Sequence, residues 1–391
     1  MEVEQFNQDL LKQVKKDNFA GNDPFDGLNS KFIDWSPALK KSILGLAWTQ
    51  FFKRSPVNFR PLFLVPKKRN PKGIGLFILG LLNDFHRTKD THYLDEAESL
   101  GRWLLTQQCD KSVWDHSCWG YHFDWKAKAF YVPKGKPNVI TTIYVAQALY
   151  ELSKAIPNGN EFEAAAFDSA LFIQKHLYSN SNREGDYIAY IPGEIAFVHN
   201  ASLWGAAWLA VVGKATNNTT LKEIAKKVAK KSVNQQADDG SWVYGAMPHH
   251  QFIDGFHTGY NLEALDIIRK SLGIDDFNNS IENGMDYYER TFFTEDGVAN
   301  YYHNSTYPLD MHSVSQAIIT LLKIAPTKAR QELAERIIEK SFFTLYLQKE
   351  NRFAYQKTKQ QLNKVNYTRW TQAWVYYSFA YYLNFKTDSN S

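Results

Sequence analysis

The stretch DGSWVYGAMPHHQFIDGFHTGYNLEAL, from Asp239 to Leu265, gathers three histidines around Asp254, Tyr260 and Glu263 at what reads as a helix entrance. Of these groups His257 is the natural general base, because an imidazole titrates near neutral pH. Tyr260, three residues on, falls on the same side of a helix and can donate or return a proton. That combination suits removal of the proton beside the carboxylate of an acidic sugar, giving elimination or epimerisation. The carboxylate must then be neutralised, since the intermediate is otherwise a costly dianion, and Asn200 and Arg369 are the groups that can donate to it.

A second chemistry stays open. Hydrolysis of a glycosidic bond needs two carboxyl groups flanking that bond. Asp124, Asp254, Glu263 and Asp310 are the candidates. Asp124 sits in GYHFDW among Trp119, Tyr121 and Trp125, as an acid in an aromatic subsite would. A third reading, glycan binding without catalysis, needs only aromatic platforms, for which Trp242, Tyr244 and Trp370 also qualify. His250, Asp254 and His257 are ligand-like, but their spacing fits no metal motif, so neither metal nor cofactor is expected.

The elements that position these groups form a repeat. A helix, a short aromatic connector (CWGYHFDW, GDYIAYIP, DGSWVYGA, DGVANYY, NRFAYQ) and a second helix rich in small residues recur five times. Aligning the second helices on Ala148, Ala206, Ala264, Ala317 and Ala373 gives a period of about 55 residues. A more divergent sixth copy runs from Trp35–Arg54 to Lys72–Phe85, behind an N-terminal extension of residues 1–30. Six hairpins that bury their apolar faces only against one another predict an all-α ring, an (α/α)6 toroid, with residues 1–391 as one domain and an open solenoid as the alternative. Counting back seven residues from each alanine puts Thr141, His199, His257, Asp310 and Asn366 at one mouth. Counting back four puts Tyr144, Ser202, Tyr260, Ser313 and Arg369 below them. Helix capping accounts for Thr141 and Asp310. It does not account for His199, His257, Tyr260 or Arg369. His199, His250, Asp310 and His312 join the aromatic residues as expected substrate contacts.

Composition narrows the setting. The chain of 391 residues has a net charge of only +4, 15% aromatic residues and two cysteines, Cys109 and Cys118. Scattered basic residues leave no nucleic-acid footprint, and two cysteines exclude a disulfide framework. The polar start MEVEQFNQDLLKQVKKDNF lacks the apolar core of a signal peptide. The apolar run Ile74–Leu82 is too short to span a bilayer. A cytoplasmic protein without a transmembrane segment is expected.

DGSW within α/α hairpins resembles the toroids of squalene cyclases, protein prenyltransferases and related polysaccharide lyases. With DGFHTGYNLEAL and YTRWTQAW, the chain more closely resembles toroid proteins of bacterial exopolysaccharide and capsule biosynthesis of the Vibrio type. That resemblance implies an acidic oligo- or polysaccharide, on a lipid carrier where assembly uses one, and contact with other polysaccharide-biosynthesis proteins. The DxDD motif of terpene cyclases and the paired Cys-His zinc ligands of prenyltransferases are missing. The Asn, His and Tyr used by the lyases match Asn200, His257 and Tyr260, although the lyases' second, strand-built domain has no counterpart here.

Overall fold

A helix that meets a core on one side needs one apolar stripe, whereas a helix enclosed by neighbours is apolar all round. That difference sorts this chain into two layers. The computed structural model describes residues 3–34, 36–126, 131–181 and 185–389. Its α-helices are α1 (Val3–Lys16), α2 (Pro37–Lys41), α3 (Ile43–Arg54), α4 (Pro71–Thr88), α5 (Thr91–Thr106), α6 (Lys111–Trp114), α7 (Val139–Ala155) and α8 (Asn160–Phe172). There follow α9 (His199–Ala215), α10 (Thr219–Val233), α11 (Gly255–Leu272), α12 (Asn278–Phe292), α13 (Met311–Lys323), α14 (Lys328–Thr344) and α15 (Ala373–Ser389). Helix α10 buries Leu221, Ile224, Ala225, Val228, Ala229 and Ser232, spaced by three and four. Helix α9 is buried without a break from His199 to Ala210.

The enclosed helices close a ring. Helix α4 packs on α7, α7 on α9, α9 on α11, α11 on α13, α13 on α15, and α15 on α4. Outside them α5 packs on α4, α8 on α7, α10 on α9, α12 on α11, α14 on α13 and α1 on α15. The fold is therefore the expected all-α toroid. The connectors pair as short antiparallel ladders, such as Tyr178–Ser181 with Gly185–Ile188.

One pairing differs from the sequence reading. The helix expected over Trp35–Arg54 (Trp35 itself lies outside the described residues) is not the sixth outer helix. That place belongs to α1, from the segment read as an extension. Helix α1 buries Phe6, Leu10, Leu11 and Val14 on one stripe, and the Phe6 ring meets Phe342, Tyr346, Phe353 and Phe379 at 5.2–5.9 Å. Helix α3 buries only Gly45, Thr49 and Phe52. It packs on the helical turn Asp26–Asn29 and the strand Trp125–Lys126 at the ring mouth.

Close approach of inner helices depends on small residues. A β-carbon at Gly75 of α4 would stand 2.7 Å from the Tyr144 carbonyl oxygen of α7. Two backbones in contact cannot yield by a side-chain rotation, so Gly75→Ala is expected to destabilise the fold by about 1–3 kcal/mol. Denaturant titration reads this as a lower midpoint with an unchanged slope.

Candidate active site

All six inner helices open on the same face, and the second residue of each inner segment lines a cavity of about 370 Å³. These residues are Lys72 of α4, Ile140 of α7, Asn200 of α9, Phe256 of α11, His312 of α13, and Arg369 in the π-helical turn Thr368–Gln372 that leads into α15. In four of the six segments a side-chain cap sets this register. Asn70 accepts from the Lys72 and Gly73 amides, Asn138 from Thr141, Asp254 from His257, and Asp310 from His312. The volume is in the range of small-molecule sites, roughly 300–1,000 Å³. Tyr121, Trp125, Tyr190, Tyr244, Phe252 and Trp370 supply much of the remaining wall.

His257 and Asp254 form a pair at this mouth. The Asp254 carboxylate, almost fully buried, accepts from the His257 amide at 2.8 Å through Oδ1 and lies 2.7 Å from its Nδ1 through Oδ2. In the neutral tautomer that donates Nδ1–H to the carboxylate, the ring is fixed and Nε2 is the nitrogen that carries the lone pair. The cap and the orienting acid are the same residue.

A second group lies beside it. The Tyr260 hydroxyl and His312 Nε2 are 2.6 Å apart. Burial raises the Tyr260 phenol well above its ordinary value, so it keeps its proton. Burial, reinforced by the Lys72 and Arg369 charges, holds His312 well below the usual imidazole range, so it is neutral. Tyr260 therefore donates to Nε2, and the ring hydrogen of His312 sits on Nδ1, which is buried without a protein partner. Lys72 Nζ lies 3.5 Å from the same hydroxyl and 4.5 and 5.3 Å from the Tyr144 and Trp374 ring centroids. Burial and then the Arg369 charge push its amine well below the ordinary value. Lys53, also in the wall, is lowered by burial. Neither lysine has a carboxylate within ion-pair distance among the described residues.

Arg369 is spoken for in part. Its Nε and Nη2 donate to both oxygens of Asp23, at 2.5 and 2.8 Å, with both side chains buried. It thus faces the cavity as one half of a fixed ion pair.

The structure brings His257, Tyr260, Asn200, Arg369, Tyr121, Trp125, Tyr244, His250, His312 and Trp370 to the cavity, with Asp254 directly behind His257. Other expected contacts lie elsewhere, and each has a physical reason. Asp124 is held by Lys40 at 2.7 Å, the Tyr131 hydroxyl at 2.7 Å and the Lys134 amide at 3.0 Å, so its oxygens are committed to joining α2 to the connector. The Trp119 and Trp242 indoles are buried and donate to the Leu104 and Ser232 carbonyls. His199, the first residue of its helix, is turned about 100° from the second. It points outward to Ser232 of α10 at 3.1 Å, and burial lowers it to about 3. Asp310 is the cap of α13, pushed up to about 7 by burial. Thr141 is buried inside the helix layer, and Asn366 is exposed. Lys72 is the main residue that sequence reasoning missed.

Two further facts bear on chemistry. Among the described residues, the cavity wall carries one carboxylate, Glu194, and Glu263 is bound by Lys323 and Gln316 instead. No group of three His, Cys, Asp or Glu side chains among the described residues stands close enough to hold a metal ion.

No protein-family model and no curated protein matches the chain. Solved structures do. A sugar epimerase from a ruminal bacterium superposes with a TM-score of 0.65 at 12% identity, over 82% of this chain and 90% of that one. Cellobiose 2-epimerase from Bacillus thermoamylovorans gives 0.64 at 11% identity, over 83% and 90%. A GH76 α-mannanase from Bacteroides thetaiotaomicron gives 0.61 at 11%, over 82% and 87%. At these identities the likeness is one of fold, and the fold shared by this chain and these enzymes is the α/α toroid.

Proposed function

We propose that this chain is a carbohydrate-active enzyme that moves a proton at a sugar carbon, as an epimerase or lyase does. The observation that carries the reading is the His257–Asp254 pair, in which the carboxylate holds Nδ1 and the imidazole lines a cavity walled by aromatic rings. His257 takes the proton from the carbon beside the carbonyl or carboxylate, and Asp254 steadies the imidazolium that results. The amine of Lys72, beside the Tyr260–His312 pair, supplies a donor for the oxygen on which negative charge develops. An anionic sugar would draw protons onto Lys53 and Lys72, whose amines burial lowers and which have no carboxylate at ion-pair distance among the described residues, so the wall suits an acidic sugar. Two toroid neighbours, cellobiose 2-epimerase and the ruminal sugar epimerase, are epimerases, which agrees with this class of reaction.

Hydrolysis fits less well, since it calls for two carboxyl groups astride the bond and, among the described residues, the wall offers Glu194 alone. The resemblance to exopolysaccharide proteins supports a role in polysaccharide assembly, on acidic and lipid-linked glycans. Two free thiols suit a cytoplasmic setting. Exchange of solvent deuterium into an acidic oligosaccharide tests the reading, and glycosidic cleavage without exchange would sink it.

A further inference from the structure

Seven of the twelve large apolar side chains exposed among the described residues fall between Phe32 and Leu64. That concentration is not chance scatter. Helix α3 turns Gly45, Thr49 and Phe52 inward. Its outer stripe runs through Ile43 (79% exposed), Ala47 and Phe51 (42%), with Leu44 (63%) beside it, and ends on the exposed Arg54. The Phe51 ring stacks on Phe59 at 5.4 Å, and Phe63 joins Trp48 to Phe32 at 4.9 and 6.2 Å, so helix and following loop form one continuous apolar surface.

Its charge is as uneven as its hydropathy. Residues 31–69 carry nine Lys or Arg and one Asp; Lys40 and Arg60 are buried in ion pairs with Asp124 and Asp26, while Lys31, Lys41, Arg54, Lys67 and Lys68 are exposed. Lys31, Lys41 and Arg54 are exposed around the stripe. A second copy of the chain would have to bring this positive face against itself, which like charges oppose. No described helix is long and apolar enough to cross a membrane, so contact with lipid would be peripheral. An apolar stripe rimmed with Lys and Arg is the composition that lies in a bilayer interface rich in anionic headgroups.

We propose that the outer face of α3 and the loop after it form a docking surface for an anionic lipid bilayer. Ile43, Leu44 and Phe51 enter the interface, and Lys41 and Arg54 meet the headgroups. The same helix supplies Lys53 to the cavity wall, over the Phe25 ring, so docking brings the cavity mouth to the membrane surface, where a lipid-borne glycan would be presented. Docking itself does not depend on the reaction assigned to the cavity.

The test is co-sedimentation of the full chain with vesicles of phosphatidylcholine alone or mixed with phosphatidylglycerol. Binding to the mixed vesicles, weakened by salt, is expected. Two variants, Ile43→Ser/Leu44→Ser/Phe51→Ser and Lys41→Glu/Arg54→Glu, should each lower the partition coefficient on the order of tenfold or more. All five side chains are exposed, and an unchanged thermal transition verifies that each variant folds. No binding by the wild-type chain, or full binding by the two folded variants, overturns the proposal. So does a dimer that the serine variant dissolves, since the face would then be covered by a second copy.

Discussion

Replacing His257 by alanine is expected to lower kcat by roughly a hundred- to ten-thousand-fold, the range for loss of a general base, with little change in thermal stability. The side chain lines an open cavity, its ring keeps part of its surface in solvent, and its single ion-pair partner, Asp254, retains the α11 amide. Steady-state kinetics beside a melting curve separates the two effects. Asp124→Asn should show the reverse, a stability loss with activity per folded molecule largely kept, because Lys40 loses a charged partner inside the protein. If Asp124 proved indispensable and His257 dispensable, hydrolysis would replace proton transfer as the reaction of this site.

Removing Asp23 should have the largest effect on the fold. Asp23→Ala leaves the Arg369 guanidinium buried with two donors unmet, and breaking one side of a buried pair costs about 3–5 kcal/mol. With an unfolding entropy near 2.1 cal/mol/K per residue, that corresponds to a fall of roughly 5 °C in Tm. The double variant Asp23→Ala/Arg369→Met should recover much of the loss, because it removes the stranded charge as well. A double-mutant cycle measures this, and additive losses would show that the pair is not coupled.

The toroid was legible because its signals are local. Helical periodicity, aromatic connectors and a recurring alanine lie within single hairpins, and closure follows from six faces needing burial. The first pair was misread because two amphipathic helices, α1 and α3, compete for one place. Only the partner across the chain ends, α15, decides between them.

The site was legible where its groups lie close in sequence, as Asp254, His257 and Tyr260 do. Alignment on alanine put Thr141 and His199 at the mouth, one residue away from the Ile140 and Asn200 that line it. Counting two residues on from the side-chain caps Asn70, Asn138, Asp254 and Asp310 gives Lys72, Ile140, Phe256 and His312, whereas Asn200 and Arg369 follow Val198 and Tyr367, which make no side-chain cap. What no local pattern carries is the long-range partner. Asp124 looked free in its aromatic setting, yet Lys40 reaches it from 84 positions away in the chain, and Arg369 is claimed by Asp23 from 346 positions away.

The central claim is proton transfer at a sugar carbon by His257. It is tested most directly by incubating the enzyme with acidic oligosaccharides in deuterated water and following the recovered sugar by mass spectrometry and NMR. Proton transfer by His257 predicts one deuterium at the carbon beside the carboxylate or carbonyl, or a new double bond at that carbon, with neither product formed by His257→Ala. Glycosidic cleavage that leaves every carbon-bound hydrogen in place would contradict it.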